Sequence, residues 1–414
     1  MHHAVMKVTK CRICGNENLH DVLSLGIMPL ANNFLKKEQL SSPEFVAPLG
    51  AIFCANCGLM QLSHVVSPNI MFGDYVYIPS TSKTLINHFA ELANKTVEKF
   101  NLPEDSLVVD IGSNDGTLLK FFKTHKVKVL GIEPATNIAK LAEASGIETI
   151  NDFFGQRTAL KVVDDKGKAK VITGTNVFAH VNDLDDFLKG IDILLEDNGI
   201  FIIEVPYLPD LLEKIEFDTI YHEHLSYFSI KPLATLFKKF KMEIFDVERI
   251  GIHGGSIRVF VKKASAPGPV SESVTNLLAL EQEHKLDSIE TYLTFATEVA
   301  SIKERLIELL KRLKSEGKRI VGYGAAAKGN ILLNYCKIGT DILDYIVDNI
   351  PYKQGRYTPG MHIPVVPEER ITQDRPDYAL ILAWNFAKEI MAKQQKYREL
   401  GGQFILPIPN PQII

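Results

Sequence analysis

No stretch of about 18 uncharged apolar residues occurs anywhere in the 414-residue chain, so no membrane-spanning helix is expected. The opening MHHAVMKVTK lacks the apolar core of a secretory signal, and the chain reads as cytoplasmic. Charge of one sign is equally missing. There are 46 basic side chains against 50 acidic ones, for a net charge of −4 with no long run of either, which argues against nucleic acid as the main partner. Cysteine is scarce: of five in all, four fall into two pairs, a clustering that in a reducing compartment suggests metal before disulfide. Cys336 stands alone and reads as a small core hydrophobe on a helix. No self-association motif stands out either, which is compatible with a monomer.

With 46% hydrophobic residues a sizeable core is easily buried, and the length calls for two or three domains. The N-terminal segment carries Cys11-Arg-Ile-Cys14 and, after a 39-residue gap, Cys54-Ala-Asn-Cys57, each pair followed by a glycine. Two such knuckles supply the four sulfurs of a closed tetrahedral Zn²⁺ site, a structural site with no position left for chemistry. Redox pairs or plain buried thiols are the competing reading. Between the knuckles, Leu25 to Phe34 looks like a loop. Past them, Tyr75 and Tyr77 sit at period two and share a face, as packing tyrosines also do. Lys83 to Phe100 has helical spacing.

Leu107 to Ile111 is a short apolar run ending in the turn Asp110-Ile-Gly-Ser-Asn-Asp-Gly116, as in a buried parallel strand. Its glycines are not where a pyrophosphate needs them, so a nucleoside cofactor without phosphates suits it. Lys128 to Gly131 forms the next strand, and Glu133, 23 residues after Asp110, is placed to accept from both ribose hydroxyls. After a third candidate strand, Glu148 to Ile150, Asp152 is offered to an adenine amino group and Phe153 to its face; a loop acid and a core aromatic are the plainer reading. The strand from Val171 ends in a polar loop that brings Asn176 and His180 to the ligand crevice, unless His180 is an ordinary loop histidine.

Tyr221-His-Glu-His224 is the densest titratable cluster. On a strand, His222 and His224 would share one face and Tyr221 and Glu223 the other. Acid/base chemistry is the leading expectation over polar packing, and metal is disfavoured because the spacing is not that of a helical zinc motif. Apolar positions recur at helical spacing from about Glu283 to Glu316, a long helix expected to clamp the central domain to the next one. Arg319 to Tyr323 then opens a second α/β unit whose GYGAAA, with Asp348 ending the next strand, read literally is a dinucleotide site. Lys328, Lys353 and Arg356 are candidate anion contacts there, although solvated charge is the commoner fate of the last two.

The DIGSNDG and GIEP pieces resemble the class I S-adenosylmethionine-dependent methyltransferases. Together with CxxC…CxxC, the block Tyr221 to Ser229, the block His253-Gly-Gly-Ser-Ile-Arg258 and Gly322 to Gly329, they look like the sugar C-methyltransferases, along essentially the whole chain. That resemblance implies an α/β protein with a zinc-binding domain (1–72), a class I methyltransferase domain with a Rossmann-like sheet (73–265), a linker and long helix (266–316) and a Rossmann-like domain for a sugar nucleotide (317–414). It implies methyl transfer from S-adenosylmethionine to carbon 3 of a nucleotide-linked 4-keto-deoxy sugar. The cofactor would meet Asp110, Gly112, Ser113, Asn114, Gly116, Glu133, Pro134, Asp152, Phe153 and Asn176. His224 would be the base, Tyr221 and Tyr75 contacts to the enolate or a sugar hydroxyl, Glu223 a group orienting a neighbour, His180 a further active-site residue, and Tyr77 a substrate contact. An NAD-dependent oxidoreductase acting on a sugar nucleotide is the alternative.

Overall fold

The computed structural model describes residues 4–71, 80 and 82–414; Tyr75 and Tyr77 lie outside the described residues. Seven strands form the central sheet, in the spatial order Met242–Ile250, Ser256–Lys263, Leu195–Pro206, Ala169–Thr175, Leu107–Ile111, Lys128–Ile132, Thr149–Ile150. Numbered along the chain this is 6-7-5-4-1-2-3, parallel except that Ser256–Lys263 runs antiparallel to both neighbours. The order reverses between the first and fourth strands, and a crevice opens at their carboxyl ends. Every residue of Leu107–Ile111 is buried because helices cover both faces of the sheet. The expected helix Lys83–Phe100 is one of them. The Ser82 side chain accepts from Leu85 N at 3.4 Å at its start, and Asn101 closes it in the left-handed region, at φ 45°.

Only the second half of the stretch Leu25 to Phe34, from Leu30 on, is the expected loop. Leu19–Pro29 is a strand paired antiparallel with Val46–Cys54, with register shifts between Asp21 and Leu23 and between Ser24 and Gly26. The turn-forming residues bend this strand at bulges instead of ending it, Gly26 taking φ 91°. Met60–Leu62 continues this N-terminal sheet, and its fourth strand, Ser226–Tyr227, comes from far along the chain.

The long helix expected from about Glu283 to Glu316 starts a few residues later. A separate helix that was not expected, Glu272–Glu283, precedes it, and the long one forms as one helix, Ile289–Ser315, the two parted where Lys285 turns left-handed at φ 52°. The first belongs to the central unit: buried Glu281 accepts from Ile230 N (2.5 Å), Lys231 N (3.1 Å) and the Tyr207 hydroxyl (3.0 Å), capping the helix Ile230–Lys239. The second packs chiefly against the N-terminal sheet, where the Phe53 and Tyr292 rings stack at 4.5 Å, and against the C-terminal unit. Its clamp therefore joins the two ends of the chain.

The C-terminal sheet runs Val365–Pro367, Ile346–Asp348, Ile320–Tyr323, Tyr378–Ile381, Gln403–Leu406, Gln412–Ile413, parallel except at the last strand. Its order reverses beside Ile320–Tyr323, where the GYGAAA turn sits. Among the described residues no helix is long and apolar enough to cross a membrane.

Candidate active site

The four paired cysteines converge. Their Sγ atoms all lie within 4.8 Å of one another, with Cys11 to Cys57 at 3.5 Å and Cys14 to Cys54 at 3.6 Å. A tetrahedral Zn²⁺ with sulfurs at about 2.3 Å has S···S edges of about 3.8 Å, so the donor set fits that ion, and these separations are far too long for disulfides. Each knuckle is closed by a backbone bond, Gly15 N to Cys11 O at 2.8 Å and Gly58 N to Cys54 O at 2.9 Å, with both glycines at positive φ. A hydrogen bond from Cys57 draws the Cys11 thiol down to about 5, and burial pushes Cys54 up to about 11: four crowded sulfurs ionise together only around a cation.

The cofactor cradle forms at the crevice of the central sheet. Gly112 stands at φ 66°, where a Cβ would lie 2.2 Å from Val177 Cγ2, and a Cβ on Gly116, at φ 76°, would lie 2.9 Å from Ile147. Both positions thus require glycine on two counts. Glu133 is buried at the end of its strand, and its carboxylate accepts from Asn114 N (3.0 Å) and Ala135 N (2.8 Å). Pro134 fixes the step between them. Ser113 Oγ is buried without a partner. A carboxylate held by two N–H groups beside a close-approach glycine suits a ribose diol better than a phosphate. Asp110 lies deeper, taking the Thr173 hydroxyl at 2.6 Å, and burial pushes it up to about 7. Asn176, at φ 56°, donates its N–H to Glu204 O at 2.8 Å at the crevice edge. Asp152 and Phe153 lie at the rim, the acid ion-paired with Arg157 at 2.5 Å and the ring 50% exposed.

Beside this cradle, residues 221–224 make a tight turn, His224 N bonding to Tyr221 O at 2.9 Å, and not a strand. The two-residue alternation therefore gives way to a different pairing. Tyr221 packs tilted on His224, with ring centroids 4.0 Å apart at 36°, and His180 meets the His224 ring at 5.0 Å and 62°. His222 turns instead to Ala47 O (3.3 Å) and Glu223 to Asn32 Nδ2 (2.7 Å), both in the N-terminal domain. Glu223 thus orients neither imidazole. That role falls to the Thr219 carbonyl, which accepts from His224 Nδ1 at 2.9 Å and leaves Nε2 as the nitrogen with a lone pair. Burial first, then the nearby charge of His180, holds His224 well below the ordinary histidine range; burial takes His180 down to about 4 and Glu223 up to about 7.

Lys328 extends from the GYGAAA unit into this cleft. Its Nζ is 3.3 Å from Glu216 Oε2 and from His253 O, over the Trp384 ring, while Trp384 Nε1 donates to Asp218 at 2.7 Å. Burial raises both Glu216 and Asp218. Lys353 is committed elsewhere, to Ala325 O (2.8 Å) and Asp348 (3.7 Å); Arg356 stacks on Tyr352 and reaches Phe34 O at 3.4 Å. Asp348 already accepts from Ala325 N (2.7 Å) and Ile350 N (2.8 Å). It resembles Glu133 in that respect, but Lys353 balances its charge, whereas among the described residues no cation pairs with Glu133. A Cβ on Gly329 would lie 2.6 Å from Leu382, so close packing accounts for part of the small-residue pattern there.

Sequence reasoning missed Thr219, Glu216, Asp218, His253, Trp384 and Asn32. Only His253 had a signal, its place in the HGGS block; the rest reach the cleft through tertiary folding alone.

Family models match three consecutive parts of the chain: a zinc binding domain over residues 11–72, a methyltransferase domain over 85–246, and a C-methyltransferase C-terminal domain over 251–409. The C-methyltransferase NovU of Streptomyces niveus is 38% identical over 414 residues, 100% of this chain and 99% of that protein. Among solved structures, a methyltransferase from Anabaena variabilis is 14% identical with a TM-score of 0.34, covering 42% of this chain and 84% of its own. One from Clostridium acetobutylicum is 14% identical with a TM-score of 0.34, covering 44% and 92%.

Proposed function

Because the chain belongs to the S-adenosylmethionine-dependent C-methyltransferases that carry an N-terminal zinc-binding domain, we propose that it methylates carbon 3 of a nucleotide-linked 4-keto-deoxy sugar through an enolate, in the cytoplasm, as a step of branched-chain deoxysugar biosynthesis. The observation that carries this reading is the His224 tautomer. Its Nδ1 proton is spent on Thr219 O, so a neutral Nε2 is presented to the cleft, flanked by Tyr221 and His180.

A hydrogen on carbon next to a ketone is acidic enough for a side-chain base when the enolate oxygen meets preorganised donors. His224 Nε2 takes that proton, and Tyr221, with Tyr75 by resemblance, meets the enolate oxygen or a sugar hydroxyl. Lys328 places a positive charge on the same cleft, and an anionic substrate that offsets it raises the proton affinity of His224. Bound S-adenosylmethionine supplies the electrophilic methyl group; Glu133, Gly112, Ser113 and their neighbours hold it, and alignment is the chain's main contribution to the transfer. The closed sulfur set keeps zinc out of the chemistry. The work divides among 1–72, 73–265, 266–316 and 317–414, with the helix Glu272–Glu283 docked on the central unit. The GYGAAA turn and Lys328, with Tyr77 by resemblance, face the sugar nucleotide.

His224→Asn is expected to abolish both methyl transfer and solvent exchange of the carbon 3 hydrogen while S-adenosylmethionine still binds. Retained exchange would remove His224 from the base role. A panel of nucleotide 4-keto sugars, read by product mass, tests the substrate class, which fails if none is methylated; stabilisation by NAD(H) and not by S-adenosylmethionine would favour the oxidoreductase alternative.

A further inference from the structure

Several polar contacts from the zinc-binding domain land on or beside residues of the proposed active site, while Lys239 Nζ meets Ile13 O at 2.9 Å away from it. Leu62 N donates to Leu225 O at 3.1 Å, and Leu225 N to Ala179 O at 2.8 Å. These bonds tie together the residue after His224, the residue before His180 and the strand Met60–Leu62. Asn32 holds Glu223 as described above. A further contact comes from inside the first knuckle. Arg12 stands between the ligands Cys11 and Cys14; its N–H is fixed by Gln61 Oε1 at 3.1 Å, and its Nη1 donates to Val181 O, the residue after His180, at 3.1 Å.

Packing alone does not call for this arrangement. Among the described residues no carboxylate pairs with the Arg12 guanidinium, and its Nε is buried with no hydrogen-bond partner. A half-buried cation whose side chain bonds to one carbonyl loses hydration that an apolar residue at this place would not have to give up. What the cation gains is a charge-assisted bond to the carbonyl of Val181, the residue whose N–H closes the Phe178–His180 turn on Phe178 O. The backbone of the knuckle, closed by Gly15 N to Cys11 O, sets where that guanidinium points.

We propose that Arg12 is a positioning residue for methyl transfer, a zinc-knuckle side chain that holds the His180 loop, and with it the His180 ring, against His224. The proposal rests on the reading of His224 and His180 as active-site residues. A misplacement of about 1 Å in a reacting constellation costs on the order of 100-fold in rate, so the loss of one tether has a measurable effect on turnover.

The test uses the full-length, zinc-loaded chain with Arg12→Met, Arg12→Lys and, in parallel, His224→Asn. For each variant, kcat and KM, zinc content, S-adenosylmethionine affinity and the imidazole ¹⁵N–¹H correlations are measured. Arg12→Met is expected to lower kcat by roughly 10- to 100-fold with zinc content and cofactor affinity unchanged and the His180 resonances shifted, and Arg12→Lys, which keeps a cationic donor, to recover most of the rate. Should Arg12→Met fold poorly, the lysine variant with its His180 resonances still decides. Wild-type kcat in Arg12→Met beside an inactive His224→Asn overturns the proposal and leaves the active-site reading intact, as does a rate that falls only in proportion to zinc lost. A fully active His224→Asn overturns the active-site reading itself.

Discussion

Replacing Arg258 by methionine probes the buried charge that joins the central sheet to the helix Lys83–Phe100. Glu204, fully buried near the end of its strand, receives His88 Nε2 and Arg258 Nε, each at 2.7 Å, and Arg258 Nη1 continues to Glu248 at 2.9 Å. Burial pushes Glu204 up, but the hydrogen bond from His88 and the charge of Arg258 outweigh it and hold the carboxyl below the ordinary glutamate range. It is therefore ionised at neutral pH, and removing one partner strands a charge in the core. Breaking such a pair costs about 3–5 kcal/mol. Because His88 stays in place, the lower end applies, about 3 kcal/mol, a large part of a typical stability of about 5–15 kcal/mol. In Glu204→Gln/Arg258→Met the stranded charge is gone, so the double variant should be more stable than Arg258→Met alone, with a coupling of roughly 2 kcal/mol. Urea unfolding followed by circular dichroism and Trp384 emission reads all four corners of the cycle. The folded-state value of Glu204 is depressed, so its contribution is fully present above the ordinary value of 4.5 and is lost as pH falls through the lower folded value; the gap between wild type and Arg258→Met should narrow at acid pH. A cost below about 1 kcal/mol for Arg258→Met, or strict additivity of the two single variants, would refute the reasoning.

Metal analysis should find one zinc per chain, and Cys54→Ser or chelation should unfold residues 11–72 and silence methyl transfer together; unchanged amide exchange in that segment after zinc removal would count against a folding role. Glu223 keeps its proton up to about 7 when folded, against 4.5 unfolded, so the folded state binds the extra proton and stability falls as pH rises from about 4.5 to about 7, by up to about 3 kcal/mol. Glu223→Gln should remove that share of the slope and leave the share of Asp110, also pushed up to about 7; an identical pH profile in the variant would contradict it. The chain's single tryptophan, Trp384, bonds to Asp218 and lies under Lys328, so a sugar nucleotide entering this cleft should change its emission while S-adenosylmethionine alone does not. Constant emission at saturating substrate would place the sugar elsewhere.

Local signals in the chain were enough for the zinc knuckles, the helix Lys83–Phe100 and the glycine turn between the strands Leu107–Ile111 and Lys128–Ile132, because each depends on neighbours in sequence: a CxxC turn with a glycine behind it, a 3.6-residue period, an apolar run ending in glycines. The strand Leu19–Pro29 was illegible for the opposite reason. Gly26 and Pro29 look like loop formers, and only pairing with Val46–Cys54 makes them a bulge and a strand end. The helix Glu272–Glu283 went unread because it follows a linker-like Pro/Gly stretch and its burial depends on docking against the central unit.

The sequence by itself determined which chemical groups the protein carries and that they cluster, four thiols in two knuckles and a Tyr-His-Glu-His block. Tertiary structure alone decided which of them face one another. Whether His222 or His224 looks into the cleft depends on a turn closed by one backbone bond, and which nitrogen of His224 holds the proton depends on a carbonyl at Thr219. Whether the zinc domain reaches His180 depends on Arg12 meeting Val181, 169 residues away along the chain. Such contacts are set by packing between domains, which has no period and no motif in the chain.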